Sequence, residues 1–288
     1  MAAAATDEDA PSSRSTRTEK LWADVRVDPV EIALPGGVGY TLRAYRSSTE
    51  ITRSEPAAAG DEDSDDFDAA SAAVARRRQG TRARDDEDED LDDDEFDEDD
   101  LDDEFDDELD EDEEFEDDDE DEDEEVEQEV PVFLGRGGKV FLFHNPDKLV
   151  EFVKSGAPND LDQLDTWPTL VKRITSEDIV PLEEDTYELD LVVENLRGGS
   201  DAWDAPLILK AGEVARDLSF ALRIDSVLIA LSAGTPLDEL DEALRAAEAG
   251  GLGGMLARRK LKKIPAQQSS LAWRTIIGKI SAAADWRD

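Results

Sequence analysis

The chain has 288 residues and a formal net charge of −46, with 77 Asp or Glu against 31 Lys or Arg, one histidine and no cysteine. The lack of cysteine excludes a disulfide framework, thiolate catalysis and Cys-ligated zinc or iron–sulfur sites. No apolar run reaches the ~18 residues that a membrane-spanning helix needs.

The charge is unevenly spread. Positions 85–129 hold 37 acids in 45 residues with no Lys or Arg, so the rest of the chain carries 40 acids against 31 bases. The acidity is a property of one tract and says little about the folded part. The N-terminus, MAAAATDEDAPSSRSTRT, has neither the basic end nor the apolar centre of a secretory signal. These features predict a soluble, cytoplasmic protein with residues 1–20 as a disordered N-terminal tail.

Order is expected from Leu21–Trp22. Val30, Ile32 and Leu34 alternate with Glu31 and Ala33, and Tyr40, Leu42 and Ala44 alternate with Thr41 and Arg43. Two period-two runs around Pro35-Gly36-Gly37 predict a β-hairpin. Residues 47–84 are rich in Ser, Ala, Arg and Asp without apolar periodicity, and the acidic tract 85–129 follows. Like charge this dense repels itself and buries too little apolar surface to offset ordering entropy. Residues 47–129 are therefore expected to be a disordered insertion.

Order is expected again at Val130. PVFLG, RGG and KVFLF form a second hairpin pattern, and Asn145-Pro146 reads as a helix cap followed by Pro in the first turn. Helical apolar spacing follows over Asp160–Ile174 (broken at Pro168), Thr186–Leu196, Pro206–Leu222 with Asp204 as its cap, Ser226–Leu231 and a helix begun by Thr235-Pro236. Residues 250–257 read as a flexible Gly-rich stretch, and Leu271–Ile280 as a last helical run. The fold class expected is α+β. Residues 21–46 and 130–288 form a single domain, with a small antiparallel sheet from two hairpins packed against about five helices. A long loop inside a sheet is thermodynamically tolerable, because closure cost grows only logarithmically with length.

Few residues carry chemistry. His144 is the only histidine, so a Ser–His–Asp triad or a His-based zinc site would rest on it alone. It stands beside a helix start, where a surface or capping role is expected. Gly36-Gly37-Val38-Gly39 and Gly135-Arg136-Gly137-Gly138 lie between strands and match neither a P-loop nor a dinucleotide fingerprint. No catalytic residue, cofactor site or metal site is predicted.

Three charge features remain. The acidic tract is punctuated by Leu91, Phe96, Leu101, Phe105, Leu109 and Phe115. Such a pattern can attract a basic partner and pin it with apolar contacts, or serve as a solubilising linker. Arg76, Arg77, Arg78, Arg82 and Arg84 precede the tract. From Ala249 to Ala284 there are seven Lys or Arg and no acid, including Arg258, Arg259, Lys260, Lys262 and Lys263, with Trp273 among them. Basic residues beside an aromatic suit a nucleic-acid backbone or form a solvated helix face. The candidate interaction residues are these five cations, Trp273, Phe96, Phe105 and Phe115. The expected partner is a basic protein or the chain's own basic C-terminal segment, with DNA contact once the acidic loop is displaced.

The blocks VEIALPGGVGYTLRAYR, EVPVFLGRGGKVFLF, DLDQLDTWPTLVKRI, EEDTYELDLVVENLRGG and AWDAPLILKAGEVARDL resemble a family of actinobacterial acidic-insert proteins commonly labelled primosomal protein or DNA primase. The resemblance implies an association with replication or the nucleoid, and its label implies a magnesium-dependent nucleic-acid enzyme. The residues themselves favour a non-catalytic interaction protein, with a structural subunit of a larger complex as a third reading.

Overall fold

The computed structural model describes residues 14–47 and 129–288, which belong to one compact unit. The expectations for residues 1–13 and for the insertion between Ser47 and Glu129 lie outside the described residues.

The first element corrects the expected tail. Helix α1 spans Thr16–Val25. The Ser15 side chain accepts from the Thr18 backbone N–H, and Arg26 closes the helix in the left-handed region. Leu21, Trp22 and Val25 supply its buried stripe. The polar start conceals a helix whose apolar residues come only in its second half.

Strands β1 (Asp28–Leu34) and β2 (Gly37–Ser47) form the first hairpin, closed at the Leu34–Gly37 pair around Pro35-Gly36. Gly37 has φ +128°, which an L side chain rarely adopts. Strand β3 (Glu129–Phe133) pairs antiparallel with β2. Beyond Leu134, β4 (Gly135–Arg136) and β5 (Lys139–Leu142) make a second hairpin. Tyr40 and Phe143 exchange backbone hydrogen bonds of 2.8 and 3.0 Å, sewing the second sheet to the first.

The class is α+β, and each sheet also gains a parallel strand. β6 (Thr186–Glu188) joins β1, and β7 (Ala284–Trp286) joins β5. The strand orders are β3-β2-β1-β6 and β4-β5-β7. The helical pattern at 186–196 therefore starts with a strand, because Tyr187 is buried beside β1 and helix begins only after Glu188.

Nine α-helices are present among the described residues. After α1 come α2 (Pro146–Ser155), α3 (Trp167–Arg173), α4 (Leu189–Arg197) and α5 (Ala205–Leu222). They are followed by α6 (Asp225–Ala230), α7 (Pro236–Ala249), α8 (Gly251–Leu261) and α9 (Ala266–Ala283). Their starts follow the capping residues: Asn145, Asp204 and Thr235 accept from the backbone N–H groups of Asp147, Leu207 and Asp238. One core cluster joins Leu21 and Trp22 of α1, Leu42 of β2, Phe143, Leu149 of α2 and Leu170 of α3. On the opposite side of β2, Arg43 reaches Asp217 of α5. The sheet is thus covered on both faces, which a strand pattern of alternating polarity does not announce.

Candidate interaction face

The hairpin of α7 and α8 turns through Gly250 and Gly251, both at positive φ. Helix α8 packs inward through Gly254, Ala257 and Leu261. A Cβ on Gly254 would lie 3.1 Å from the carbonyl oxygen of Ala246, so glycine is what lets the two helices approach this closely. The bulky residues face the other way. Leu252, Met255 and Leu256 are 84%, 58% and 64% exposed. They stand at i, i+3 and i+4, with Arg259 at i+7, and so share one stripe. Over residues 252–257, small residues inside and large apolar residues outside invert the usual amphipathic arrangement.

Cations follow the stripe at its C-terminal end. Arg258, Arg259 and Lys260 occupy the last turn of α8, where the helix dipole favours positive charge, and Lys262 and Lys263 follow. Lys260 lies 4.0 Å from Glu242 and Lys262 3.6 Å from Asp201, both as exposed pairs of small energetic weight. The side chains of Arg258, Arg259 and Lys263 have no hydrogen-bond or ion-pair partner among the described residues.

The structure thus brings the five predicted cations to one helix end. It does not bring Trp273 with them: that side chain is 2% exposed, on the inward face of α9 beside Ile276, Ile277 and Ile280. Trp273 is a core residue, and its helical spacing with those isoleucines is the reason. Phe96, Phe105 and Phe115 lie outside the described residues. The stripe itself was missed. Its four glycines suggested a flexible linker, although the 252, 255, 256, 259 spacing was present in the sequence.

Two clefts hold further charged groups. The first, of about 570 Å³, is lined by Asp28, Arg43, Tyr45, Asp185, Tyr187 and Asp217 among others. Arg43 pairs with Asp185 at 2.7 Å and Asp217 at 3.2 Å, and donates to the Tyr187 hydroxyl at 2.9 Å. Tyr45 donates to the same Asp217 oxygen as Arg43 does. Burial raises the pKa of Asp28, Asp185 and Asp217. Burial and the bond to Asp217 push the Tyr45 phenol well above its ordinary value. With Asp185 and Asp217 both engaged by one guanidinium, the network acts as a strut between β2, the 182–187 segment and α5.

The second cleft, of about 470 Å³, includes Arg136, Lys139 and Arg287. Arg287 pairs with Asp285 at 2.7 Å and lies 3.6 Å over the Phe141 ring, while Lys139 donates to the Ala282 carbonyl. His144 is exposed and stacks on Trp286 at 4.4 Å, with Nδ1 3.0 Å from the Val38 carbonyl oxygen. The helix cap beside it is Asn145. Among the described residues no three His, Cys, Asp or Glu side chains converge to hold a metal, and no helix is long and apolar enough to cross a membrane.

A comparison with curated proteins finds no match. Among solved structures, the chain is similar to a crystal structure of a SatS C-terminal domain in complex with bromine, at 16% identity and a TM-score of 0.55. The similarity spans 92% of this chain and 96% of that one, and it shows a shared fold. Residues 125–280 match the model of the SatS C-terminal domain family, and the chain belongs to that family.

Proposed function

We propose that this chain is a non-catalytic interaction protein that binds other polypeptides through the outward face of α8. The observation that carries this reading is the inverted helix: Leu252, Met255 and Leu256 are held in solvent on a rigid hairpin while Gly254 and Ala257 fill the interior. Contiguous exposed apolar side chains rimmed by charge are a common property of protein-binding surfaces. A solvated helix face would be expected to carry polar residues at these three positions.

The acidic sequence 85–129 supplies a second element of opposite sign, suited to basic partners, with Leu and Phe at short intervals. The resemblance to proteins labelled primosomal favours partners from replication or the nucleoid. The test is a native pull-down from the source cell at two salt concentrations, with the full chain and its Leu252→Ser, Met255→Ser, Leu256→Ser variant. The reading expects the recovered partner to disappear with the variant. Equal recovery by both proteins refutes it.

A further inference from the structure

We propose that the α8 face receives an acidic segment of a second protein, one that carries bulky apolar side chains among its carboxylates. This rests on the reading of α8 as a protein-binding face and names its partner class. Two features of the same helix must be answered together. The first is the apolar stripe of Leu252, Met255 and Leu256. The second is the set of cations without a partner among the described residues, Arg258, Arg259 and Lys263, at its C-terminal end.

Nucleic acid and a second copy of α8 answer at most one of the two. Nucleic acid would neutralise the cations through its phosphates and leave three large apolar side chains in water. A second copy of α8 would cover the stripe, but it has no carboxylate to meet the cations. An acidic, apolar-punctuated chain does both. Its Leu or Phe side chains fill the stripe as helix-in-groove ligands do, and its carboxylates meet the guanidinium groups. The stripe from Leu252 to Arg259 is about 10 Å long at 1.5 Å per residue, which matches two turns of a partner helix.

The cations also give the face its selectivity. A basic or neutral amphipathic segment could cover Leu252, Met255 and Leu256, yet it would leave Arg258 and Arg259 repelled or unpaired. Acidic segments are favoured by both attraction and exclusion. Association should be faster at low salt, because these exposed charges are screened over about 8 Å at physiological ionic strength.

The probe is a fluorescent peptide with the sequence of residues 91–115, LDDDEFDEDDLDDEFDDELDEDEEF, added to the full chain and followed by anisotropy. Saturable binding is expected at low salt, weakening as salt rises. Leu252→Ser with Leu256→Ser, and separately Arg258→Gln with Arg259→Gln and Lys263→Gln, should each weaken it on the order of tenfold. All these positions are exposed, and unchanged melting shows that the variants stay folded. No saturable binding to the full chain at low salt overturns the proposal. Equal binding of a peptide with every Leu and Phe replaced by Ser overturns both the proposal and the reading of the stripe. Equal binding of a peptide with Asn and Gln for its acids overturns the acidic partner but leaves α8 a protein-binding face. Binding that appears only after residues 85–125 are deleted identifies the chain's own tract as the occupant and overturns the assignment to a second protein.

Discussion

Ser47 and Glu129 are register partners on the adjacent antiparallel strands β2 and β3, although residues 48–128 separate them in sequence. Paired residues of such strands stand about 5 Å apart at Cα. The whole intervening sequence therefore leaves and re-enters the fold at one strand pair, as a hairpin loop does.

Replacing residues 48–128 by a short Gly/Ser turn should leave a folded protein. Loop-closure cost falls by about 0.6 kcal/mol for each halving of length, so the shortened chain should be more stable by about 2 kcal/mol. Urea denaturation of both proteins measures the difference. Loss of the cooperative transition would show that the insertion is needed for folding.

Asp178 ties the N-terminal helix to the far part of the chain. Fully buried, it accepts from Thr18 Oγ1 at 3.0 Å, the Thr175 N–H at 2.9 Å and Arg17 at 2.9 Å. Trp22 donates to its backbone carbonyl. Asp178→Ala strands several donors and should cost about 3 kcal/mol, and Thr18→Val about 1 kcal/mol. Burial alone would raise the Asp178 pKa, but the bonds from Thr175 and Thr18 and the charge of Arg17 hold it below the ordinary carboxylate value. Because the folded-state pKa is depressed, this contribution is present above the unfolded pKa of about 4 and is lost as pH falls through the folded one. The Asp178→Ala deficit in urea should therefore shrink as pH falls below the unfolded value of about 4. A deficit independent of pH would contradict the assignment.

Asp28 works in the opposite direction. Burial raises its pKa, against the attraction of Arg14 and Arg43 and with the repulsion of Glu184. A carboxyl whose folded pKa is raised favours folding when protonated, and that contribution is lost as pH rises through the folded pKa. Asp28→Asn removes the disfavoured charge, so it should raise the melting temperature at pH 7. The gain should fade as pH falls toward about 4, where both proteins are neutral at this position. A lower melting temperature for the variant at pH 7 would show that Asp28 is held by attraction instead.

The glycines of the first hairpin seat the C-terminal strand. A Cβ on Gly39 would lie 2.7 Å from the Trp286 ring and 2.9 Å from Leu142 Cβ. Gly39→Ala should therefore cost about 2 kcal/mol through overpacking. Trp286→Ala opens the space above Gly39, so the double variant should be less destabilised than the sum of the two singles. Additive losses in thermal melts would separate the two sites.

Much of the α+β architecture was legible in the sequence. The hairpin around Pro35-Gly36, the Asn145, Asp204 and Thr235 caps, and the helices they open are local features. Their signals lie within a few residues of the structure they produce. The cations of the candidate face were legible for the same reason, as a run of one sign.

Sequence by itself determined where chain charge is concentrated, which catalytic groups are scarce, and where the first hairpin and the helices capped by Asn145, Asp204 and Thr235 begin. Tertiary structure decided the parallel pairings of β6 and β7, because each strand of three residues is specified by its neighbour rather than by its own pattern. It decided that Arg43 is an interior residue, since α5 covers the face of β2 that alternation leaves polar. It also decided the roles of two apolar groups that look alike in one dimension. Trp273 is buried because its helix face meets the core, whereas Leu252, Met255 and Leu256 are exposed because Gly254 and Ala257 let α8 pack through its smallest side chains. Helical spacing reports that residues share a face, and only packing against a second helix fixes which face turns inward.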